Sequence, residues 1–199
     1  PKQTASDEFH RHKTVLFGLA WCDPTSFNPI LQNPSWPALQ NTTALYQTFF
    51  FFNQLTGELE PQLATSYQEF PDRIEVELNP AATWNDGKPL TARDVVFTYN
   101  RLFRIVPGFP AWQYLDSVQM LDPESPRPRR LSFRLRAEKP NPLMVLHWLT
   151  LNYVLPEHVW EPLLVAAGND YNILSKNKMD VDPVGSGPYR MHSYSAEKI

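Results

Sequence analysis

The chain has 199 residues, enough to bury a core in one domain or in two small ones. Apolar residues make up 42% and charged residues 20%, a globular balance, and no apolar run approaches the roughly eighteen residues that a membrane-crossing helix needs. The net charge of -3, with basic residues scattered apart from "RPRR" at 127–130, argues against a nucleic-acid partner, and the single cysteine, Cys22, excludes an internal disulfide and a cysteine-based metal cluster.

Twenty prolines against seven glycines imply many irregular connections, and six Trp, eight Tyr and twelve Phe must fill a core or a binding surface. The first residues, "PKQTASDEFHRHK", are polar and lack the apolar centre of a signal peptide, so any export signal is expected to lie outside this sequence. "TVLFGLAW" at 14–21 reads as a strand buried on both faces. It runs into "CDPTSFNPILQNPSWP", where Asp-Pro and Asn-Pro pairs force a looping path.

A short helix is expected from Thr42, a Phe-rich strand at 49–52 and a turn at Thr56-Gly57. "RIEVELN" at 73–79 alternates as a half-buried strand does. Asn85-Asp86-Gly87 is a turn signal, and Thr91 followed by Asp94 predicts a capping box at the start of a helix. Val95, Val96, Tyr99, Leu102 and Phe103 give that helix an apolar face.

"DSVQMLD" and "RLSFRLR" are predicted as two strands separated by a proline- and arginine-rich loop. "NPLMVLHWLT" and "PEHVWEPLLVAAG" are predicted as helices, the second with Pro156 in its first turn and Gly168 as its stop. Residues 169–183 are expected to form a loop or linker, and "VGSGPYRMHSY" at 184–194 to return to strand. Strands and helices interleave without regular alternation, so the fold class is α+β, a mixed α/β arrangement rather than a doubly wound one.

Two stretches carry a family likeness. "WNDGKPLTARDVVFTYNRL" at 84–102 and "DPVGSGPYRM" at 182–191 resemble, in order and separation, the two signatures of the family 5 extracellular solute-binding proteins. Those proteins are the receptors of oligopeptide, dipeptide, nickel and some oligosaccharide ABC importers. "GELEPQLATSY" and "YVLPEHVW" resemble further family phrases, and the likeness runs from Thr14 to Tyr194. One departure is that Leu78 is followed by Asn79-Pro80 where the family often has Leu-Arg before the aromatic turn.

The resemblance implies a type II periplasmic-binding-protein-like N-terminal lobe, with a mixed sheet and an inserted outer subdomain. Residues 1–53 and 181–199 would form the ligand-facing subdomain and residues 54–180 the insertion, with the second lobe absent from this sequence. It also implies a periplasmic or extracellular exported protein without catalysis or cofactor. Its partners would be a small solute, an oligosaccharide or an oligopeptide, and the ABC permease subunits. Of the two solutes the oligosaccharide is preferred, because indole rings stack on sugars.

Loop aromatics outside periodic apolar faces are the candidate ligand contacts. Trp21 ends the first strand, and Trp36, Trp112 and Tyr114 lie in or beside loops. Cys22, Asp23 and Ser26 follow Trp21 and offer polar groups. Trp148 and Trp160 read as core residues on helix faces. His10 and His12 share a strand face but sit in a polar tail, so no metal site is expected. A hydrolase reading would need a nucleophile with a base in reach, and Gly185-Ser186-Gly187, followed by Pro188, does not fit a nucleophile elbow. The glycines there are expected to take unusual dihedrals in a tight chain return. A sensor module on the same lobe stands as a further alternative.

Overall fold

A computed structural model describes residues 26–31, 42–179 and 181–193. The strand expected at 14–21, and with it Trp21, Cys22, Asp23, Trp36, His10 and His12, lies outside these residues. A helical turn at 42–45 leads into a hairpin of β1 (Phe50–Phe52) and β2 (Leu59–Pro61). A four-stranded sheet follows from β3 (Ala64–Glu69), β4 (Arg73–Leu78), β5 (Leu115–Met120) and β6 (Arg130–Leu135). Its order is β3-β4-β6-β5, and both sheets are antiparallel throughout. A mixed sheet is therefore not seen among the described residues.

The predicted alternation of β4 and β6 is what buries the sheet. Ile74, Val76 and Leu78 alternate inward on β4, and Leu131, Phe133 and Leu135 do so on β6. Each such side chain, moved from water to the interior, contributes about 1.5–3 kcal/mol. Against the sheet packs α1 (Ala92–Phe97), while α2 (Pro142–Leu151) lies on β1 and α3 (Glu157–Ala166) on α1, all within one continuous core. Phe49 and Tyr99 meet Phe133 edge-on, with ring centroids 5.6 and 5.4 Å apart.

The helix that begins as α1 continues through a widened π turn, Thr98–Leu102, and a last turn, Phe103–Ile105. Thr98 sits at the change of pitch. Its buried hydroxyl donates to the Asp94 carbonyl at 2.7 Å and accepts the Leu155 amide at 3.0 Å, which ties this helix to the residues entering α3.

Three expectations need correction. The linker at 169–183 contains a short helix, α4 (Tyr171–Leu174), capped by the Asp170 carboxylate, which accepts the Asn172 amide at 2.7 Å. Residues 184–193 form no strand. They lie instead along the helical turn at 42–45, where the Gly187 amide donates to the Leu45 carbonyl at 2.8 Å and the Tyr189 amide to the Ala44 carbonyl at 3.3 Å. A helical turn offers two carbonyls but no ladder, so pairing stops after two bonds. Gly185 and Gly187 also lack the left-handed φ expected of them. They are needed for closeness: a Cβ on Gly185 would fall on the Leu45 carbonyl oxygen, and one on Gly187 would lie 2.6 Å from the Leu45 carbonyl carbon.

Candidate functional site

The two signature stretches meet. Asn85, in the Asn-Asp-Gly turn, donates its backbone amide to the Gly185 carbonyl at 2.9 Å and its side-chain amide to the Pro183 carbonyl at 3.0 Å. Ser186 is buried, and its Oγ accepts the Gln47 amide at 3.1 Å. That bond ties the chain return to the backbone just after the 42–45 turn. Trp84 is buried beneath the turn, and Gly87 takes a φ of +88°, which the tight reversal requires.

Behind that turn, Asp86 Oδ2 lies 2.7 Å from His158 Nε2 at the start of α3. Burial pushes the Asp86 carboxyl up, but the Lys88 amide and His158 outweigh it and hold the carboxyl below its ordinary value. Asp94 is buried and completes the predicted capping box: Oδ2 accepts the Thr91 amide at 2.9 Å and the Thr91 hydroxyl at 3.1 Å, while Oδ1 accepts the Glu157 amide at 3.1 Å. Desolvation is the largest influence on Asp94 and raises its pKa despite these donors. The first signature is thus a turn and a capped helix, as read from sequence.

On another side of the molecule lies a cavity of about 560 Å3 between the 28–31 loop, the 106–110 loop and the C-terminal end of α2. Phe109, Trp148 and Tyr153 give it an aromatic wall, and Asn28 and Asn152 add amide groups. None of its lining residues is ionisable except Tyr153, whose phenol burial pushes up to about 12. Gly108, at φ +64°, lets the 107–110 loop turn so that Phe109 stacks 4.4 Å from Phe103 and 6.4 Å from Trp148. The indole nitrogen of Trp148 is itself buried, so the ring meets the cavity with carbon surface rather than with its N–H. The chemistry that the described lining offers is stacking, apolar contact and a few neutral hydrogen bonds.

The residues singled out from sequence are partly gathered here. Ser26 is buried beside the cavity's Asn28: its hydroxyl donates to the Lys178 carbonyl at 3.2 Å and accepts the Asn28 amide at 3.1 Å. Asn28 in turn donates to the Leu174 and Asn177 carbonyls, so the whole loop is fastened to α4 and its exit. Trp112 stands behind the wall rather than in it. Its ring lies 6.5 Å from Phe109, its indole donates to the Phe103 carbonyl at 3.3 Å, and the Arg104 guanidinium covers one face at 3.5 Å. Tyr114 is farther along the same 3-10 turn, with Lys139 Nζ 5.0 Å from its ring centroid. Trp21, Cys22, Asp23 and Trp36 lie outside the described residues.

Sequence reasoning missed Phe109, Tyr153 and Trp148. Trp148 was expected in the core, where Trp160 indeed lies, but it is only half-buried and borders the cavity. The available signal was "VPGFPAW", a Pro-Gly turn set between aromatics, which marks a shaped loop. Among the described residues no helix is long and apolar enough to cross a membrane, and no group of three or more His, Cys, Asp or Glu could hold a metal.

Comparison with known proteins gives this arrangement a family. The chain is 30% identical over 156 residues to the Escherichia coli K12 protein YejA, covering 77% of this chain and 23% of that one. It is 32% identical over 120 residues to the peptidoglycan-binding protein YepA of Agrobacterium fabrum, covering 59% of this chain and 17% of that one. Among solved structures it resembles the mannohexaose-bound periplasmic oligopeptide-binding protein of Thermotoga maritima, with a TM-score of 0.70 and 27% identity over 90% of this chain and 31% of that one. It shares the fold of the nonapeptide-bound oligopeptide-binding protein AppA of Bacillus subtilis, at a TM-score of 0.71 and 22% identity over 89% of this chain and 33% of that one. The chain therefore spans about a quarter of the curated relatives' length and about a third of the structural ones. With residues 58–199 matching the family description, the chain belongs to the bacterial extracellular solute-binding proteins, family 5.

Proposed function

We propose that the chain is the N-terminal lobe of an exported receptor that captures a solute and delivers it to an ABC importer, and that it performs no catalysis. Residues 1–53 and 181–199 form the ligand-facing part in this reading, and residues 54–180 the outer insertion. Capture comes from closure of two lobes, the solute favouring the closed state through the contacts it gains there. The aromatic wall stands where the 28–31 loop of the ligand-facing part meets residues 103–110 and 148–153 of the insertion, so in this reading the insertion also contributes to the solute site.

The observation that carries the reading is the cavity walled by Phe109, Trp148 and Tyr153, with no charged side chain in its lining. Such a lining suits a sugar ring, which offers an apolar face and hydroxyl acceptors, more than a charged group. The mannohexaose held by the Thermotoga maritima relative and the peptidoglycan named for the Agrobacterium fabrum relative support an oligosaccharide or a sugar-bearing solute. The nonapeptide bound to AppA keeps an oligopeptide as the second solute class. Trp21 and Trp36 add stacking surfaces, with Cys22 and Asp23 as polar contacts. Ser26, Trp112 and Tyr114 act by positioning the walls.

Calorimetric titration with β-linked gluco-oligosaccharides, peptidoglycan fragments and short peptides tests this, using the 199-residue chain and a two-lobed polypeptide containing it. The two-lobed form is expected to bind one class tightly and the single lobe to bind it weaker by orders of magnitude, since each ~1.4 kcal/mol of lost contact is tenfold. Trp148→Ala and Phe109→Ala are each expected to weaken binding about tenfold or more. Equal, tight binding by the single lobe would sink the closure mechanism, and no binding of any class would sink the solute assignment.

A further inference from the structure

A second, larger groove lies on the far side of α2, away from the proposed solute site. It measures about 990 Å3 and runs between the β1–β2 hairpin, the edge of the four-stranded sheet and the first two turns of α2. Its floor is apolar, and it is open: Phe52, Tyr67 and Leu143 are 48%, 39% and 74% exposed. Isolated apolar residues on a surface mean little, but a contiguous apolar groove marks a contact site.

The sheet edge beside it has a register shift between Ala64 and Ser66, at its start, and is bare beyond that point. β3 is the terminal strand of the sheet and is exposed from Thr65 to Glu69. Its sequence there, "TSYQE", has no proline, lysine or arginine, the residues that commonly blunt an edge. Among the described residues no backbone group outside β4 is hydrogen-bonded to residues 65–69, so the outward half of that strand's amides and carbonyls is open.

The groove and the edge are geometrically one feature. Tyr67 and Glu69 stand opposite Val76 and Ile74, which are buried on the core face, so Tyr67 and Glu69 project to the same face and there line the groove. A strand added beside β3 would send every second side chain into it. The electrostatics narrow the occupant: Glu58 and Glu69 line the groove, and no lysine or arginine does.

We infer that this edge and groove dock an extended polypeptide segment of a partner protein by strand addition, one with apolar residues at alternate positions and a Lys or Arg flanking them. The main chain pairs with β3, the apolar side chains seat against Phe52, Leu143 and Met144, and the cation meets Glu58 or Glu69. This surface is separate from the solute cavity, so its fate is independent of the solute assignment.

The test uses the 199-residue chain and a fluorescein-labelled, end-blocked peptide, Lys-Val-Thr-Val-Thr-Val-Lys, with a control carrying proline at the central Val. Saturable anisotropy is expected for the first and none for the control, with slowed amide exchange confined to 65–69. Leu143→Asp, an exposed change that leaves the core alone, and Glu69→Lys are each expected to weaken binding at least tenfold. Absence of saturation, affinity unchanged in Leu143→Asp, or protection appearing away from β3 would overturn the proposal. So would a chain that dimerises through this edge in sedimentation, which would assign the surface to a second copy.

Discussion

Asp94 accepts the Thr91 amide and hydroxyl on one oxygen and the Glu157 amide on the other, so one buried carboxylate closes the N-termini of both α1 and α3. Asp94→Ala is expected to cost about 2–4 kcal/mol, because it removes a cap and strands buried donors. Urea denaturation at neutral pH measures this. Asp94→Asn isolates the charge. Burial raises the native carboxyl above its unfolded value near 3.8, so the native state binds more protons than the unfolded one. The contribution is fully present below that value and is lost as pH rises through the native pKa. Wild type is therefore expected to lose stability relative to Asp94→Asn as pH rises from about 4, and parallel curves would contradict it. Thr91 and Asp94 were legible at this scale because capping is local chemistry. Phe109 and Trp148 were not, since periodicity says that a side chain leaves the helix and not whether core or cavity receives it.

At the scale of elements, alternation found β4 and β6, and it could not find β3. A strand exposed at five of its six residues carries no apolar period, and "ATSYQE" resembles a loop for the same reason that it makes an open edge. The 184–193 segment failed in the other direction. Its composition suits a strand, but the partner beside it is a helical turn, a fact set by residues about 140 positions earlier. That docking gives a prediction. Gly187→Ala should destabilise the chain by about 1–3 kcal/mol, because the added methyl meets backbone that cannot step aside. Gly57→Ala is the control: unlike Gly187 it bears a positive-φ penalty of about 1 kcal/mol, but nothing lies within 4 Å of its Cβ position, so its effect should stay local to the hairpin. Chemical denaturation of both variants, with amide exchange at 44–47, separates the two mechanisms.

Across the whole molecule, the boundary proposed at 53/54 does not interrupt the core. Phe49 packs on Tyr99 and Phe133, its amide donates to the Leu149 carbonyl at 3.1 Å, and its carbonyl accepts the Gln62 amide at 3.1 Å. The two subdomains are thus expected to unfold together, with far-UV circular dichroism and tryptophan fluorescence giving coincident urea transitions. Two resolved transitions would show that the ligand-facing part and the insertion are independently stable. The clasp of Asn85 on Pro183 and Gly185 bears on how such a chain comes off the ribosome. Synthesis runs from the N-terminus, so the turn waits for about a hundred further residues, and the 42–45 backbone for about 140, before their partner emerges. Until then the Leu45 carbonyl and the Asn85 side chain face solvent, and the last glycines act as a late fastening that locks an insertion already formed.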